Sequence, residues 1–347
     1  MAINPALLGT ILCVAAALGY SAANVCLRQL AGLGADEMWV TCVKELVTVT
    51  VIGPWLVAQG LRGRRLVPAP RMLAALIATG LAVQLLGNLT LQWAYGVVGI
   101  AVAISAIFGV MLAASGLMGF LFLGERVSAR SLAAMGLVIP AIAMLGLGAD
   151  EVNRALAMVR QTVAGTSQSL LGLGAACVAG AMFALLSVVL RHAGATGVPV
   201  SSIVFVVTGM GVLSMGSLSL FRLGWRRLLA TPPEQLAWML AAGGFNLLAF
   251  LAITKGLQLT AVVRANLLNA SQVAMGALAG ILLFGEPLTG WLIGGITLTV
   301  AGMLLIDLRE EQHIGSRRPI GSGRVTAKAG TPELCERTQG EYRPPDV

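Results

Sequence analysis

Long runs without a charged residue are the feature that most constrains how this chain can fold. Such runs cover residues 6–27, 72–91, 97–123, 131–149, 236–253 and 265–284. A helix needs about 20 apolar residues to cross the hydrocarbon core of a bilayer. Only 11% of the 347 residues are charged, against about 25% in soluble domains, and the mean hydropathy is +0.87. The sequence therefore predicts an all-α polytopic membrane protein.

The apolar runs and the polar residues between them predict ten transmembrane helices, here called spans 1 to 10. Their predicted limits are 6–31, 38–59, 71–94, 97–123, 129–149, 169–192, 200–221, 236–254, 261–284 and 289–307. Residues 308–347 are instead polar and rich in Pro, Gly, Arg and Glu. A segment of this composition buries too little apolar surface to fold, so it is predicted to be a disordered tail.

The spans form an internal repeat. The sequence FLGERVSARSLAAMG at 122–136 has a counterpart in LFGEPLTGWLIGGIT at 283–297, which places Glu125 and Glu286 at matching positions. Small residues precede both glutamates at equal distances, and residues of span 1 match residues of span 6. The matched pairs are Ser115 with Gly276, Gly119 with Gly280, Tyr20 with Phe183, Asn24 with Ser187, and Arg28 with Arg191.

Each repeat unit holds five spans, and this odd number determines the predicted architecture. A unit of five spans ends on the opposite side of the membrane from its start, so the second copy is inverted relative to the first. The predicted fold is therefore ten transmembrane helices arranged as two inverted five-helix repeats. The predicted domains are a first repeat at 1–149, an inter-repeat loop at 150–168, a second repeat at 169–307 and the tail at 308–347.

Two short hairpins contain the matched glutamates, which could be catalytic acids or structural residues. Gly124 and Gly285 stand where a helix favours its C′ residue. Ser128 and Thr289 stand where the following helix favours its N-cap. Each glutamate then precedes a helix N-terminus, where the dipole favours negative charge. Because inverted repeats place the hairpins on opposite faces, one active site cannot use both, and Glu125 is interpreted as structural.

Two adjacent charged residues, Lys44 and Glu45, lie about two turns inside span 2. Neighbouring helix residues point about 100° apart, so the two are not expected to form a helix-surface pair with each other. Both are candidates for ion coupling, and Glu45 is the candidate proton carrier, because acidic groups inside membranes often serve proton relays. The alternative is that Glu45 pairs with a basic residue elsewhere in the bundle.

Polar amides form a stripe along span 3. Gln84, Asn88 and Gln92 follow one another at i, i+4 and i+8, which places them on one narrow face of a helix. Such a stripe either lines a cavity or makes hydrogen bonds to other helices. Both interpretations remain open for this span.

A second polar stripe, on span 9, is the more informative because its counterpart in span 4 is mostly apolar. Asn266, Asn269 and Gln272 align with Ser105, Phe108 and Met111. A purely structural repeat gives no reason for polar residues in one copy only, whereas a binding site for an asymmetric solute does. The alternative is that these residues form hydrogen bonds to other helices. The predicted substrate-binding residues are Tyr20, Asn24, Gln84, Asn88, Asn246, Asn266, Asn269 and Gln272.

Charge and cysteine content exclude other classes of protein. The net charge of +8 does not predict nucleic-acid binding, because basic residues in loops set membrane topology. The five cysteines form no CxxC pattern and only two histidines are present, so no metal site and no cofactor are predicted. The Lys and Arg distribution favours cytoplasmic termini, although Arg222, Arg226 and Arg227 oppose this orientation. Abundant Ala, Gly and Arg suggest a GC-rich bacterial genome, so the predicted location is a bacterial inner membrane.

Several motifs resemble those of EamA-like transporters in the drug/metabolite transporter superfamily. They are the hairpins LGERVS and FGEPLT, the Gly-rich LIGGITLTVAGMLL at 292–305, the TKGLQLT that precedes span 9, and the paired LR ends of spans 1 and 6. The resemblance covers about residues 6–307. It departs from the family pattern in spans 4 and 9, where members often carry a central proline and this chain has none.

The resemblance implies a secondary carrier, often an exporter, that moves small organic solutes by alternating access around a central cavity. One alternative is a flippase for a lipid-linked intermediate. Another is a membrane-embedded enzyme, which needs converging nucleophiles, acids or metal ligands that this sequence does not offer. The chain is therefore predicted not to be an enzyme. The expected partners are a small organic solute and membrane lipid, with a homodimer left open and no nucleic acid.

Overall fold

The structure is a computed structural model that describes residues 5–64, 66–123, 166–260 and 262–305, with scattered positions between 133 and 148. The predicted hairpin around Glu125, most of the inter-repeat loop and the tail lie outside the described residues. The helices are α1 Pro5–Gly32, α2 Glu37–Leu61, α3 Pro70–Ala82, α4 Leu89–Val97, α5 Gly99–Leu123, α6 Thr166–Ala195, α7 Val200–Leu223, α8 Trp225–Leu229, α9 Pro233–Leu259, α10 Val262–Asn269, α11 Gln272–Phe284 and α12 Gly290–Leu305.

Within the described part of the chain, seven helices are long and apolar enough to cross a membrane. They are Leu7–Gly32, Glu37–Leu61, Pro70–Val97, Gly99–Phe122, Ser167–Ala195, Val200–Leu223 and Pro233–Leu259, which correspond to predicted spans 1–4 and 6–8. The positions described between 133 and 148, in predicted span 5, are also helical. The prediction of an all-α polytopic membrane protein is thus confirmed, while ten spans and an inverted repeat stay predictions.

Large apolar side chains cover much of the outer surface of these helices. Val57, Leu213 and Leu248 are all more than half exposed, although each belongs to a long apolar helix. Exposing such an apolar surface to water is unfavourable, whereas contact with the hydrocarbon chains of lipid carries no such free-energy cost. The interior is built largely from alanine, glycine and short aliphatic residues, which let the helices approach one another closely.

Helices α1 and α9 pack closely against each other at glycine residues. A Cβ atom added to Gly256 would lie 2.6 Å from Cys13 Sγ, and one added to Gly19 would lie 3.3 Å from the Phe245 carbonyl oxygen. Small residues at such contacts allow helices in a membrane to pack by direct backbone approach. The close packing fixes α1 against α9 and so positions the polar residues farther along both helices.

Predicted span 9 is not one helix, because it breaks between α10 and α11. The Val273 N–H donates to Ala270 O at 2.9 Å, so it does not make the usual helical bond to Asn269 O. The Gln272 side chain replaces that donor, since its Nε2 lies 3.2 Å from the Asn269 carbonyl. A polar side chain thus satisfies the carbonyl freed by the break without a proline at this point.

Predicted span 3 also departs from regular α-helix, in a π-helical turn at Val83–Asn88 that joins α3 to α4. The Leu89 N–H donates to Gln84 O, five residues earlier. A π turn widens the helix locally, and such turns are frequent at functional sites. It contains both Gln84 and Asn88.

Candidate solute-binding cavity

A cavity of ≈130 Å³, here called the central cavity, lies among the helices at the level of these two irregular segments. All the predicted binding residues and both predicted coupling residues line it. These are Tyr20, Asn24, Lys44, Glu45, Gln84, Asn88, Asn246, Asn266, Asn269 and Gln272. The structure therefore gathers side chains from both sequence halves around one space.

Lys44 and Glu45 form a buried ion pair, contrary to the expectation drawn from their adjacent positions. Lys44 Nζ lies 3.0 Å from Glu45 Oε1, and both side chains are almost wholly buried. Neighbouring side chains leave the helix backbone about 100° apart, but the lysine side chain is long enough to bend back toward Glu45. Burial removes water as a competing partner, so the two charges turn to each other.

The Lys44 ammonium also starts a hydrogen-bond chain across the π turn. Its Nζ donates to Asn88 Oδ1 at 3.1 Å, and Asn88 Nδ2 donates to Gln84 Oε1 at 2.7 Å. Gln84 Nε2 in turn donates to the Val207 carbonyl at 3.4 Å. The chain fixes the amide orientations on this wall of the cavity and connects α2 to α7.

A second set of amides lies at the α10–α11 break. Asn24 Nδ2 of α1 donates to Gln272 Oε1 at 3.0 Å. Gln272 Nε2 donates to Asn269 Oδ1 at 2.9 Å. These bonds hold the broken helix against α1, so the predicted stripe on span 9 both lines a cavity and hydrogen-bonds to another helix.

Three buried polar atoms of residues that line the cavity have no hydrogen-bond partner among the described residues. They are the acceptor Glu45 Oε2, the donor Asn266 Nδ2 and the hydroxyl of Tyr95. The Asn266 oxygen is engaged, because Ser187 Oγ donates to it at 3.1 Å. An unpartnered buried polar group costs about 1–3 kcal/mol, which a hydrogen bond to a polar ligand would offset.

Apolar side chains complete the cavity on the side of α5 and α6. Ile104, Phe108 and Met111 come from α5, and Phe183 comes from α6. The cavity wall is thus polar at α10 and α11 but apolar at α5, as the unequal repeat residues predict. Ser187 also lines the cavity but was not among the predicted binding residues. Its alignment with Asn24 in the repeat could have predicted this position.

Gln92, the third residue of the span 3 stripe, does not line the central cavity. It borders a larger space of ≈740 Å³, here called the vestibule. The vestibule lies where α1, α4 and α7 end and where α2, α6 and α9 begin. Its wall includes Ala31, Trp39, Trp93, Gly96, Gln168, Arg222, Arg227 and Gln235.

Glu286 performs a structural role different from the one predicted for it. It is buried, and Arg28 Nε lies 3.0 Å from its Oε1. Its carboxylate accepts the Ile100 N–H at 2.9 Å and the Ala101 N–H at 3.1 Å, which caps α5. From its sequence position, Glu286 was predicted to stabilise the N-terminus of the next helix. Thr289 caps that helix instead, as was predicted for Thr289, by accepting the Leu292 N–H at 3.1 Å.

Gly285 adopts the left-handed conformation expected of a helix C′ residue, with φ +62°. This turn reverses the chain after α11 and brings Glu286 back toward α5. The hairpin prediction is therefore confirmed for the second copy of the motif.

Comparisons with known proteins show a family match for part of the chain and a similar fold for most of it. Residues 170–307 match the EamA-like transporter family, which confirms the predicted resemblance over that part of the chain. A solved structure described only as a crystal structure of a protein is 17% identical, with a TM-score of 0.60, and the match covers 91% of this chain and 99% of that one. This second similarity concerns the fold alone. No curated protein sequence matches the chain.

Proposed function

We propose, from the EamA-like transporter domain in residues 170–307, that this protein is a secondary carrier that moves small polar organic solutes through the central cavity. The observation that supports this most is the convergence of ten polar or charged residues on that one cavity. They come from helices that are far apart in the sequence. A purely structural network has no need to surround an open space.

The unpartnered atoms of Glu45 and Asn266 define the chemistry of the proposed solute. Glu45 Oε2 accepts a hydrogen bond, so it suits an amine or other donor group. Asn266 Nδ2 donates one, so it suits a carbonyl or carboxylate oxygen. Apolar residues of α5 then contact the remaining surface of the solute. The ≈130 Å³ volume favours a small metabolite over the head group of a lipid-linked intermediate.

Glu45 is the proposed site of proton coupling, with Lys44 as its counter-charge. A proton on Glu45 would cancel the carboxylate charge and release Lys44 from their 3.0 Å pair. Solute and proton would then compete for one group, which is a simple basis for exchange. Such coupling needs no cofactor.

The proposed architecture is ten spans in two inverted repeats, at residues 1–149 and 169–307. The broken helix and the π turn support it, because carriers of this type place irregular helix segments at the binding site near the middle of the membrane. We assign the vestibule to the extracytoplasmic face of a bacterial inner membrane, with both termini in the cytoplasm. The proposed direction is export by alternating access.

A solute screen on purified protein tests this function. We expect at least one small polar metabolite to raise the thermal unfolding midpoint, because ligands stabilise the native state that binds them. The same solute should exchange across proteoliposome membranes. Asn266→Leu should weaken the affinity for that solute by about tenfold and so reduce both the thermal shift and the exchange rate, since one hydrogen bond to a buried ligand is lost.

The matched control is Thr50→Val, which changes an exposed residue of α2 outside the cavity and should leave both effects unchanged. If the Asn266→Leu variant exchanges the solute at the wild-type rate, the central cavity is not the transport site. The Glu45→Gln variant tests proton coupling in the same vesicles. If its exchange rate depends on a proton gradient as the wild-type rate does, Glu45 is not the coupling group.

A further inference from the structure

Residues of α1 and α4 form a partition between the central cavity and the vestibule. On α1, Leu27 lines the cavity and Ala31, one turn later, lines the vestibule. On α4, Tyr95 faces the cavity, whereas Gln92 and Trp93 face the vestibule. A solute that travels between the two spaces must pass this point.

The first bond that holds the partition joins α4 to α1. Gln92 Nε2 donates to the Leu27 carbonyl at 2.9 Å, and Gln92 is buried. The other amide atom, Gln92 Oε1, is buried without a partner among the described residues. Because that acceptor is unsatisfied, the closed arrangement is only weakly favoured over one in which the Gln92 side chain turns away.

The second bond acts on the very next residue of α1. Arg28 Nε pairs with Glu286 Oε1 at 3.0 Å, and the Arg28 guanidinium lies 5.0 Å from the centre of the Phe284 ring. Glu286 is itself fixed by the Ile100 and Ala101 N–H groups. Consecutive residues of α1 are therefore tied to α4 on one side and to the start of α5 on the other.

We propose that Leu27–Arg28 is the gate between the vestibule and the central cavity, with Gln92 and Glu286 as its two latches. This inference rests on the proposed transport through the cavity. Opening requires the Leu27–Ala31 turn of α1 to move away from α4, which breaks the Gln92 bond and strains the Arg28 pair. Both latches are positioning residues, since neither lines the central cavity.

Arg191 supplies a matched control at the other end of the bundle. It follows Leu190 as Arg28 follows Leu27, and it donates to the carbonyls of Leu257 and Gln258 at 3.1 and 3.2 Å. Because α6 begins at the vestibule and Arg191 lies near its end, this residue holds the face opposite the gate. Its loss should not open the vestibule side.

The test measures how fast a membrane-impermeant thiol reagent reaches the central cavity from the vestibule side. The full-length protein first has its native cysteines replaced by alanine, and Asn266→Cys then supplies the cavity thiol. Arg227→Cys, in a separate sample, identifies which vesicle orientation exposes the vestibule. Gel filtration and thermal unfolding establish that each variant is folded.

We expect Gln92→Leu to raise the labelling rate from the vestibule side by about three- to tenfold, the effect of losing one buried hydrogen bond. Glu286→Gln should raise it by a similar or larger factor. If that variant does not fold, Arg28→Met replaces it, since it leaves Glu286 bonded to the two N–H groups of α5. Arg191→Met should leave this rate unchanged or lower it.

Unchanged labelling in folded latch variants would overturn the gate and leave the proposed carrier intact. An equal increase in Arg191→Met would also overturn it, because general loosening would then explain the effect. Failure of every solute to exchange would contradict the proposed function instead, and the labelling rates do not depend on that result.

Discussion

Lys44 and Glu45 are the charged residues among the described residues that line the central cavity. Both side chains are almost wholly buried, so removing one partner leaves the other charge in surroundings of low dielectric. Breaking a buried pair in this way costs about 3–5 kcal/mol, whereas replacing both charges costs much less. The protein is therefore expected to lose more stability when one charge of the pair is removed than when both are removed.

Single and double variants of this pair give a direct prediction. Lys44→Met alone should lower the free energy of unfolding by about 3–5 kcal/mol, because Glu45 then keeps an uncompensated buried charge. Lys44→Met combined with Glu45→Gln should recover a large part of that loss. The measurement is a double-mutant cycle from thermal or denaturant unfolding in detergent. Additive losses in the double variant would contradict the ion pair.

Residue types and spacing predicted which polar groups face the cavity, but not how they pair. Asn266, Asn269 and Gln272 share a helix face, and that follows from the helical period alone. The Arg28–Glu286 pair joins residues 258 positions apart, so local sequence holds no signal for it. The Lys44–Glu45 pair is local, yet its formation depends on burial, which spacing does not report.

At the scale of single helices, the start of α5 depends on close contact with Glu286. Gly99 has φ +78°, and a Cβ atom there would lie 2.6 Å from Glu286 Oε1. Side chains other than glycine rarely adopt that backbone conformation. The glycine lets the carboxylate reach the free N–H groups of Ile100 and Ala101 in the first turn of the helix, a site that the helix dipole also favours.

Gly99→Ala should therefore lower the free energy of unfolding by about 1–3 kcal/mol, because it adds backbone strain and displaces the Glu286 carboxylate. Gly244→Ala is the matched control, since a Cβ atom there would meet nothing within 4 Å. In the middle of α9 that change should be neutral or slightly stabilising through helix propensity. Equal effects of the two substitutions in thermal unfolding would refute the proposed role of Gly99.

The limits of most helices follow from apolar runs and from residues such as Gly285 and Thr289 at their ends. The break between α10 and α11 does not, because the sequence NASQVAM contains no proline or glycine before Gly276. The break persists because Gln272 satisfies the Asn269 carbonyl from within the cavity. A tertiary setting that accepts a polar side chain thus overrides the local helical preference.

At the scale of the whole molecule, the central cavity and the vestibule lie in series across the Leu27–Arg28 turn. Composition predicts a membrane protein because its charged residues are too few for a hydrated surface. Composition cannot predict the partition between the two spaces, which depends on how α1 packs against α4. The odd number of spans in the predicted repeat implies inverted halves, the architecture on which the proposed alternating access depends.

The most direct test of this account is the accessibility of one cavity thiol from both sides of the membrane. Asn266→Cys, in the protein otherwise free of cysteine, is treated with a membrane-impermeant thiol reagent in vesicles of each orientation. A carrier with alternating access predicts labelling from both faces, with any transported solute protecting the thiol on both. Labelling from one face only, in protein that reacts fully once denatured, would contradict the account.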